Sequence, residues 1–381
     1  MKRYIGFLCL LMVTTLGCWN YREVEELGIV SGVGIDKQEN TSNYQLAIEI
    51  VNIKGGQDGQ INHHPVITQG QSMFDSARNT ILRTGQRAYW AHATAAVISE
   101  DLARDGILSV LDWVSRDAEV RSDIWLFVSS EKDAKSIFLT EPDLNDLVSF
   151  KLADMVSAHN SVPKFIPKEL WKFKQELSAP GQSPTLPTIR IVENNGQKVP
   201  EIWGTAVFRK DKMVGWLDGL ESFALSYALP KNAFGLIILP TTIEGKSGVV
   251  SYEVFGKTTM HSATFAGNRA LMNVQVDLQV GIADLEGITP DYRETTILRM
   301  LEEDVSSFIK QEIRQVISRV QQEFKSDIFG FGGVIRQQLP HIWKDLESDW
   351  SEEFTKLDVR VAVNTTIRAS GLLTAPIQMR D

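Results

Sequence analysis

Leu27-Gly28-Ile29-Val30-Ser31-Gly32-Val33-Gly34-Ile35 is a nearly continuous aliphatic run closed by Asp36 and Lys37. A short apolar run rich in β-branched residues and bounded by polar turn formers reads as a strand. Residues 36–42 supply the turn, and residues 43–53 resume the apolar pattern, so the two segments predict a strand pair. Gly28, Gly32 and Gly34 fall inside the strand and do not open a helix. They therefore predict close backbone packing or a bulge, and not a phosphate-cradling loop.

Downstream of this pair, strands alternate with helices. Ser72 and Asp75 with Met73, Ala77, Ile81 and Leu82 at helical spacing predict a capped helix. A strand over 93–99, a helix over 100–115, a strand over 124–128 and helices over 143–157 and 167–177 follow. The breakers in 179–184 form a loop. From Ile189 the pattern turns to strand, over 189–192, 202–209 and 213–217, with Lys210-Asp211-Lys212 as a hairpin turn. A short helix over 220–229 precedes strands over 233–238, 248–255 and 268–280.

The clearest helix starts near Asp291. It carries Ile297, Leu301, Val305, Ile309, Ile313, Val316, Val320 and Phe324 on one face, with Glu302, Glu303, Lys310 and Arg314 opposite. Such a stripe usually faces the core of its own domain. Residues 330–333 break the run, a shorter amphipathic piece follows, and residues 359–367 alternate as a final strand before a loose tail over 369–381. The expected fold is α+β and multi-domain, with mixed sheets packed by helices and a long amphipathic helix in the C-terminal domain. The expected divisions are a signal peptide over 1–17, an N-terminal α+β domain over 18–187, a β-rich middle region over 188–285, and a helical region over 286–381 packing on it.

Upstream of the opening strand, Lys2 and Arg3 precede an uncharged apolar stretch from Ile5 to Leu16, too short for the roughly 20 residues of a spanning helix. It ends in Thr15-Leu16-Gly17-Cys18, a small residue before a cysteine, which predicts acylation of the Cys18 thiol and cleavage just ahead of it. Thr15 stands where a lipobox usually has Leu. A plain secretory signal cut near Gly17, or an uncleaved helical anchor, would use the same apolar stretch. Trp19, Tyr21 and Arg22 follow the anchor, where aromatic rings and an arginine suit a lipid–water interface.

The chain of 381 residues has a net charge of −9. Loss of residues 1–17 takes away Lys2 and Arg3 and leaves 37 basic against 48 acidic side chains, −11. This balance argues against nucleic acid as a ligand and against a polybasic membrane grip. Cys9 and Cys18 are the two cysteines, so the mature chain has no intramolecular disulfide. Six histidines are scattered without metal-ligand spacing, with His63-His64 beside a glycine-rich loop, and no metal or other cofactor is expected. Asp112, Arg116, Asp117, Glu119 and Arg121 make a charged knot that reads as an ion-pair turn after a helix rather than an acid–base site.

The run Cys18-Trp19-Asn20-Tyr21-Arg22-Glu23-Val24-Glu25-Glu26-Leu27, continuing to Gly34-Ile35-Asp36-Lys37, resembles the start of the Ger(x)C family, the C subunits of spore nutrient germinant receptors. Asn20 departs from the family's commoner Asp. Trp90-Ala91-His92 before a strand, the Arg116-Asp117-Ala118-Glu119-Val120-Arg121 turn, and Gly204-Thr205-Ala206-Val207-Phe208 resemble further family segments in order. The resemblance implies a lipoprotein on the outer face of the inner spore membrane, working with integral-membrane A and B subunits in the germination response. It implies no catalytic residue and leaves contact with the nutrient open. The alternative is a lipid-anchored solute-binding protein of a transporter, which needs two repeated α/β lobes around a cleft. An exported enzyme would need a nucleophile–base pair or metal cluster, and none stands out.

Overall fold

The computed structural model describes residues 23, 26–38, 43–51, 65–140, 147–267, 269–288 and 294–369. Among these, nine strands build a first sheet: β1 (Leu27–Lys37), β2 (Tyr44–Val51), β3 (Val66–Gly70), β4 (Arg87–Tyr89), β5 (Ala95–Ser99), β6 (Trp125–Ser129), β7 (Thr185–Asn194), β8 (Gln197–Arg209) and β9 (Lys212–Leu217). The order is β3-β2-β1-β5-β6-β7-β8-β9, with β4 beside the first residues of β1. The centre is parallel, and antiparallel strands extend it at both sides.

The opening run thus lies in the middle of the sheet, and both faces of the sheet are covered. Helices α1 (Met73–Arg78), α2 (Ile81–Thr84), α3 (Glu100–Asp105) and α4 (Leu108–Arg116) precede β6; α5 (Lys135–Phe138), α6 (Val148–Ser157) and α7 (Leu170–Ser178) follow it. Ala96 and Ile98 of β5 join a core with Leu102, Val110 and Phe173, while Ala95 and Val97 join another with Phe138 and Leu152. This two-sided burial explains why the run lacks polar alternation. Gly32 and Gly34 are the price of it: a Cβ on Gly32 would stand 2.6 Å from Ser149 Cβ, and one on Gly34 3.1 Å from Ala134. The β1–β2 register also shifts between Val30 and Gly32, so close packing and a bulge coincide.

The expected division between 187 and 188 falls inside β7, because the alternating residues up to Leu217 extend the first sheet and do not start a new one. After β9, α8 (Gly219–Ala228) leads to a second sheet of β10 (Gly235–Ile243), β11 (Lys246–Ala266), β12 (Arg269–Glu286) and β13 (Asp358–Ala369), in that order. The last pairing is parallel and the others antiparallel, so this sheet does not repeat the first. The expected strand over 248–255 is the first part of the much longer β11. Its continuation was hidden because Lys257, Thr259 and His261 point at a helix end rather than an apolar core: their side chains meet the carbonyls of residues 226–229.

Helix α9 (Thr295–Arg319), extended by a π-helical turn at Val320–Phe324, lays its whole predicted stripe into the core, from Ile297 to Phe324. Met272, Val274, Val276 and Tyr252 of the second sheet share that core. Then come α10 (Phe331–Gln338), α11 (Pro340–Leu346) and α12 (Trp350–Thr355). Among the described residues no helix is long and apolar enough to cross a membrane.

Glu221 joins α8 to α9. Its carboxylate accepts from Asp218 N at 2.8 Å, closing a capping box, and also takes the Arg319 guanidinium. Glu221→Ala is expected to destabilise the fold by about 1.5 kcal/mol, read from the urea midpoint, by losing a cap bond and a half-buried ion pair together.

Candidate functional site

Cys18, Trp19, Tyr21 and Arg22, where the sequence leads one to expect a lipid anchor, lie outside the described residues, as do His63 and His64. What the structure places is the point where the chain enters the fold, at Leu27, beside Arg87 of β4. The described residues of the segments that carry the family resemblance lie in or beside the first sheet. Asp36 is buried and accepts from Ala134 N at 2.6 Å and Lys135 N at 3.1 Å, tying the end of β1 to the first turn of α5. Burial raises its carboxyl to about 6. Lys37 pairs with Asp105. Trp90 packs edge-on against Trp113, with ring centroids 5.1 Å apart.

The charged knot resolves into separate pairs. Arg116 bonds Asp112 one helical turn earlier, Arg121 bonds Asp123, and Glu119 pairs with Arg87 at 3.0 Å; Asp117 Oδ1 accepts from Glu119 N. This is a set of ion pairs locking the turn before β6 to β4, with no two carboxylates sharing a site. His159 and His261 each bond a backbone carbonyl, of Val156 and Ala228, and burial lowers both imidazoles below their ordinary range. Among the described residues no group of three or more His, Cys, Asp or Glu is arranged to hold a metal ion.

Two buried carboxylates escaped the sequence reading. Glu49 of β2 accepts from Ser31 Oγ at 2.9 Å, Val148 N at 2.8 Å and Ser149 N at 3.1 Å, so it holds the N-terminus of α6 against the sheet. Asp327 is the hub of the C-terminal half. It accepts from the backbone N–H groups of Phe329, Gly330, Phe331 and Gly332 and from Trp350 Nε1, at 2.8 to 3.2 Å. The N-cap of α10 is Gly330, and Asp327 three residues ahead of it gathers the N–H groups there, so the expected break at 330–333 is the start of a helix.

Asp327 also reaches the other half of the molecule. Its carbonyl accepts from Ser183 N at 2.8 Å. Gly181 and Gly332 approach so closely that a Cβ on Gly332 would stand 2.6 Å from Gly181 Cα. The two breaker segments of the sequence, 179–184 and 327–333, are therefore one clasp, reinforced where Phe324 lies over Gly215 of β9. Nothing in their separate patterns pairs them.

Two family domains match along the chain, in order. Residues 20–191 match the spore germination protein N-terminal domain, and residues 203–371 match the spore germination B3/GerAC like, C-terminal domain. The chain belongs to the Ger(x)C family. Among its relatives, spore germination protein KC of Bacillus subtilis (strain 168) is 27% identical over 99% of this chain and 98% of that protein. Spore germination protein YndF of the same organism is 24% identical over 96% of this chain and 95% of its own length. The crystal structure of the GerBC protein has the same fold, with a TM-score of 0.60 over 88% of this chain and 96% of that one, at 18% identity.

Proposed function

We propose that this chain is the lipoprotein C subunit of a spore nutrient germinant receptor. Acylated Cys18 holds it on the outer face of the inner spore membrane, and it acts with integral-membrane A and B subunits through protein contacts rather than catalysis. The observation that carries the reading is that both family domains run in order along the chain, the first beginning at residue 20, two residues after the cysteine that ends the signal-like segment. A diacylglycerol thioether and an N-acyl chain bury several tens of methylenes at ~0.8 kcal/mol each, which makes such an anchor stable.

Spores carrying Cys18→Ala in place of the wild-type chain test the proposal. The expected result is loss of the chain from the membrane fraction and a nutrient response reduced at least to the level of a spore lacking the subunit's receptor. Unchanged fractionation with an unchanged response would overturn it. A solute-binding protein would instead bind amino acids or sugars tightly as a purified soluble chain.

A further inference from the structure

Each sheet ends in two outer strands, β3 and β9 in the first and β10 and β13 in the second. An outer strand presents a row of unpaired N–H and C=O groups, which folded chains usually keep short or interrupt with proline. β3 and β9 are five and six residues long, and β10 carries Pro240. β13 is the longest of the four, with twelve residues and no proline.

Ile367 marks the open side of β13. Its N–H donates to Glu302 Oε1 of α9 at 2.9 Å and so points away from β12. N–H groups two residues apart along a strand face the same way, so those of Thr365, Val363, Val361 and Val359 share that side. Nearby, Ser306 Oγ donates to Thr365 Oγ1 at 2.9 Å. Glu302 and Ser306 thus cover the last part of the edge. From Val359 to Val363, roughly 17 Å at the rise of a strand, no described strand pairs with it.

The row of α9 that begins with Glu302 and Ser306 continues at steps of four with Lys310 and Arg314. With Arg360, Val361 and Ala362 of β13 these two side chains line a cleft of about 430 Å3. Lys310, Arg314 and Arg360 are exposed, and among the described residues none of the three has an ion pair or a hydrogen-bond partner. None of the described residues lining the cleft is acidic. On a chain of net charge −9 this is a local reversal of sign, placed on an unpaired strand edge.

Charge selects the occupant. Antiparallel pairing of two copies over 359–363 would bring both sets of these cations together, and like charges facing across strands are destabilising. An acidic strand in the same place completes the ladder with its backbone while its carboxylates meet Lys310, Arg314 and Arg360. We infer that the edge of β13 from Val359 to Val363 takes an extended acidic segment of a partner protein as an added strand, with Lys310, Arg314 and Arg360 selecting its charge. Such a partner suits a chain that works through protein contacts, but neither acylation of Cys18 nor the receptor reading is needed for it.

The test follows the fluorescence anisotropy of a labelled peptide of alternating valine and glutamate added to the purified full-length chain in detergent. Saturable binding is expected, weakened about tenfold or more by Lys310→Glu with Arg314→Glu and absent for a peptide with lysine in place of glutamate. Both substituted side chains are exposed, and an unchanged urea midpoint verifies the fold. Two further peptides, N-methylated at alternate amides in opposite registers, separate strand pairing from simple attraction. One is expected to bind and the other not, because only one register turns its methyl groups towards β13. Equal binding of the two overturns strand addition. No binding by the folded wild-type chain up to millimolar peptide means that the cations only guard the edge, and overturns it too. Concentration-dependent dimerisation that the double substitution alters would assign the edge to a second copy and overturn the acidic partner.

Discussion

Asp327→Ala is expected to lower the stability of the folded chain by about 4 kcal/mol at neutral pH, because it strips the acceptor from five donors at once, most of them buried. An unpaired buried N–H keeps its full desolvation cost, and water cannot reach all of them in a region where Phe329, Phe331 and Trp343 close the surroundings. The same change releases the start of α10 and, through the carbonyl that receives Ser183 N, loosens the hold on the 179–184 loop. Asp327→Asn keeps one oxygen acceptor and should lose about half as much.

The pH dependence has a definite sign. Burial raises the Asp327 carboxyl from 3.8 to about 6, and its N–H donors limit the rise. A raised folded-state value means that the native chain binds this proton more tightly than the unfolded chain does. The associated stability is complete below about pH 4 and is lost as the pH rises through 6. The gap between wild type and Asp327→Ala should therefore narrow between pH 4 and pH 7. Guanidinium midpoints of both proteins across that range provide the check, since the carboxylates they share cancel in the difference; a gap that widens would contradict the assignment.

Gly332→Ala should cost about 3 kcal/mol, from a single added methyl. The new Cβ would lie 2.6 Å from Gly181 Cα, 2.7 Å from Gly181 O and 2.8 Å from Trp350 Cε2. Two of these atoms belong to backbone, which cannot rotate away as a side chain would. The loop at 179–184 must lift, so limited proteolysis there should accelerate along with the fall in urea midpoint. Gly333→Ala is the internal comparison: nothing lies within 4 Å of its added Cβ, and in a helix Ala is favoured over Gly by up to about 1 kcal/mol. Equal effects at the two neighbours would mean that backbone approach is not what Gly332 provides.

The elements of the fold were legible wherever one residue type repeated at one period. The stripe from Ile297 to Phe324 and the run at Leu27 were read from hydrocarbon alone, and Ser72 caps α1 as its sequence suggests, accepting from Asp75 N at 3.1 Å. Short strands such as β3 and β4 were missed, since three to five residues carry too little period to register. The second part of β11 was missed because its inward side chains bond carbonyls instead of packing. Long-range pairings were beyond reach: Glu49 serves α6 across a separation of about a hundred residues, and Gly181 meets Gly332 across a greater one. The candidate site divides in the same way. The family resemblance is carried by contiguous residues, whereas the clasp exists only after folding.

The central place of β1 has a mechanical side. Leu27 is where any tension applied through the preceding residues would enter the sheet, directed along a strand held by β2 on one side and by β4 and β5 on the other. Hydrogen bonds in such ladders lie across the strand, so a lengthwise pull loads many of them together in shear and does not peel them one by one. A strand at the sheet's margin would have unzipped under the same load. A pull on the N-terminal residues would thus meet a strand that passes displacement to the rest of the sheet without first unravelling.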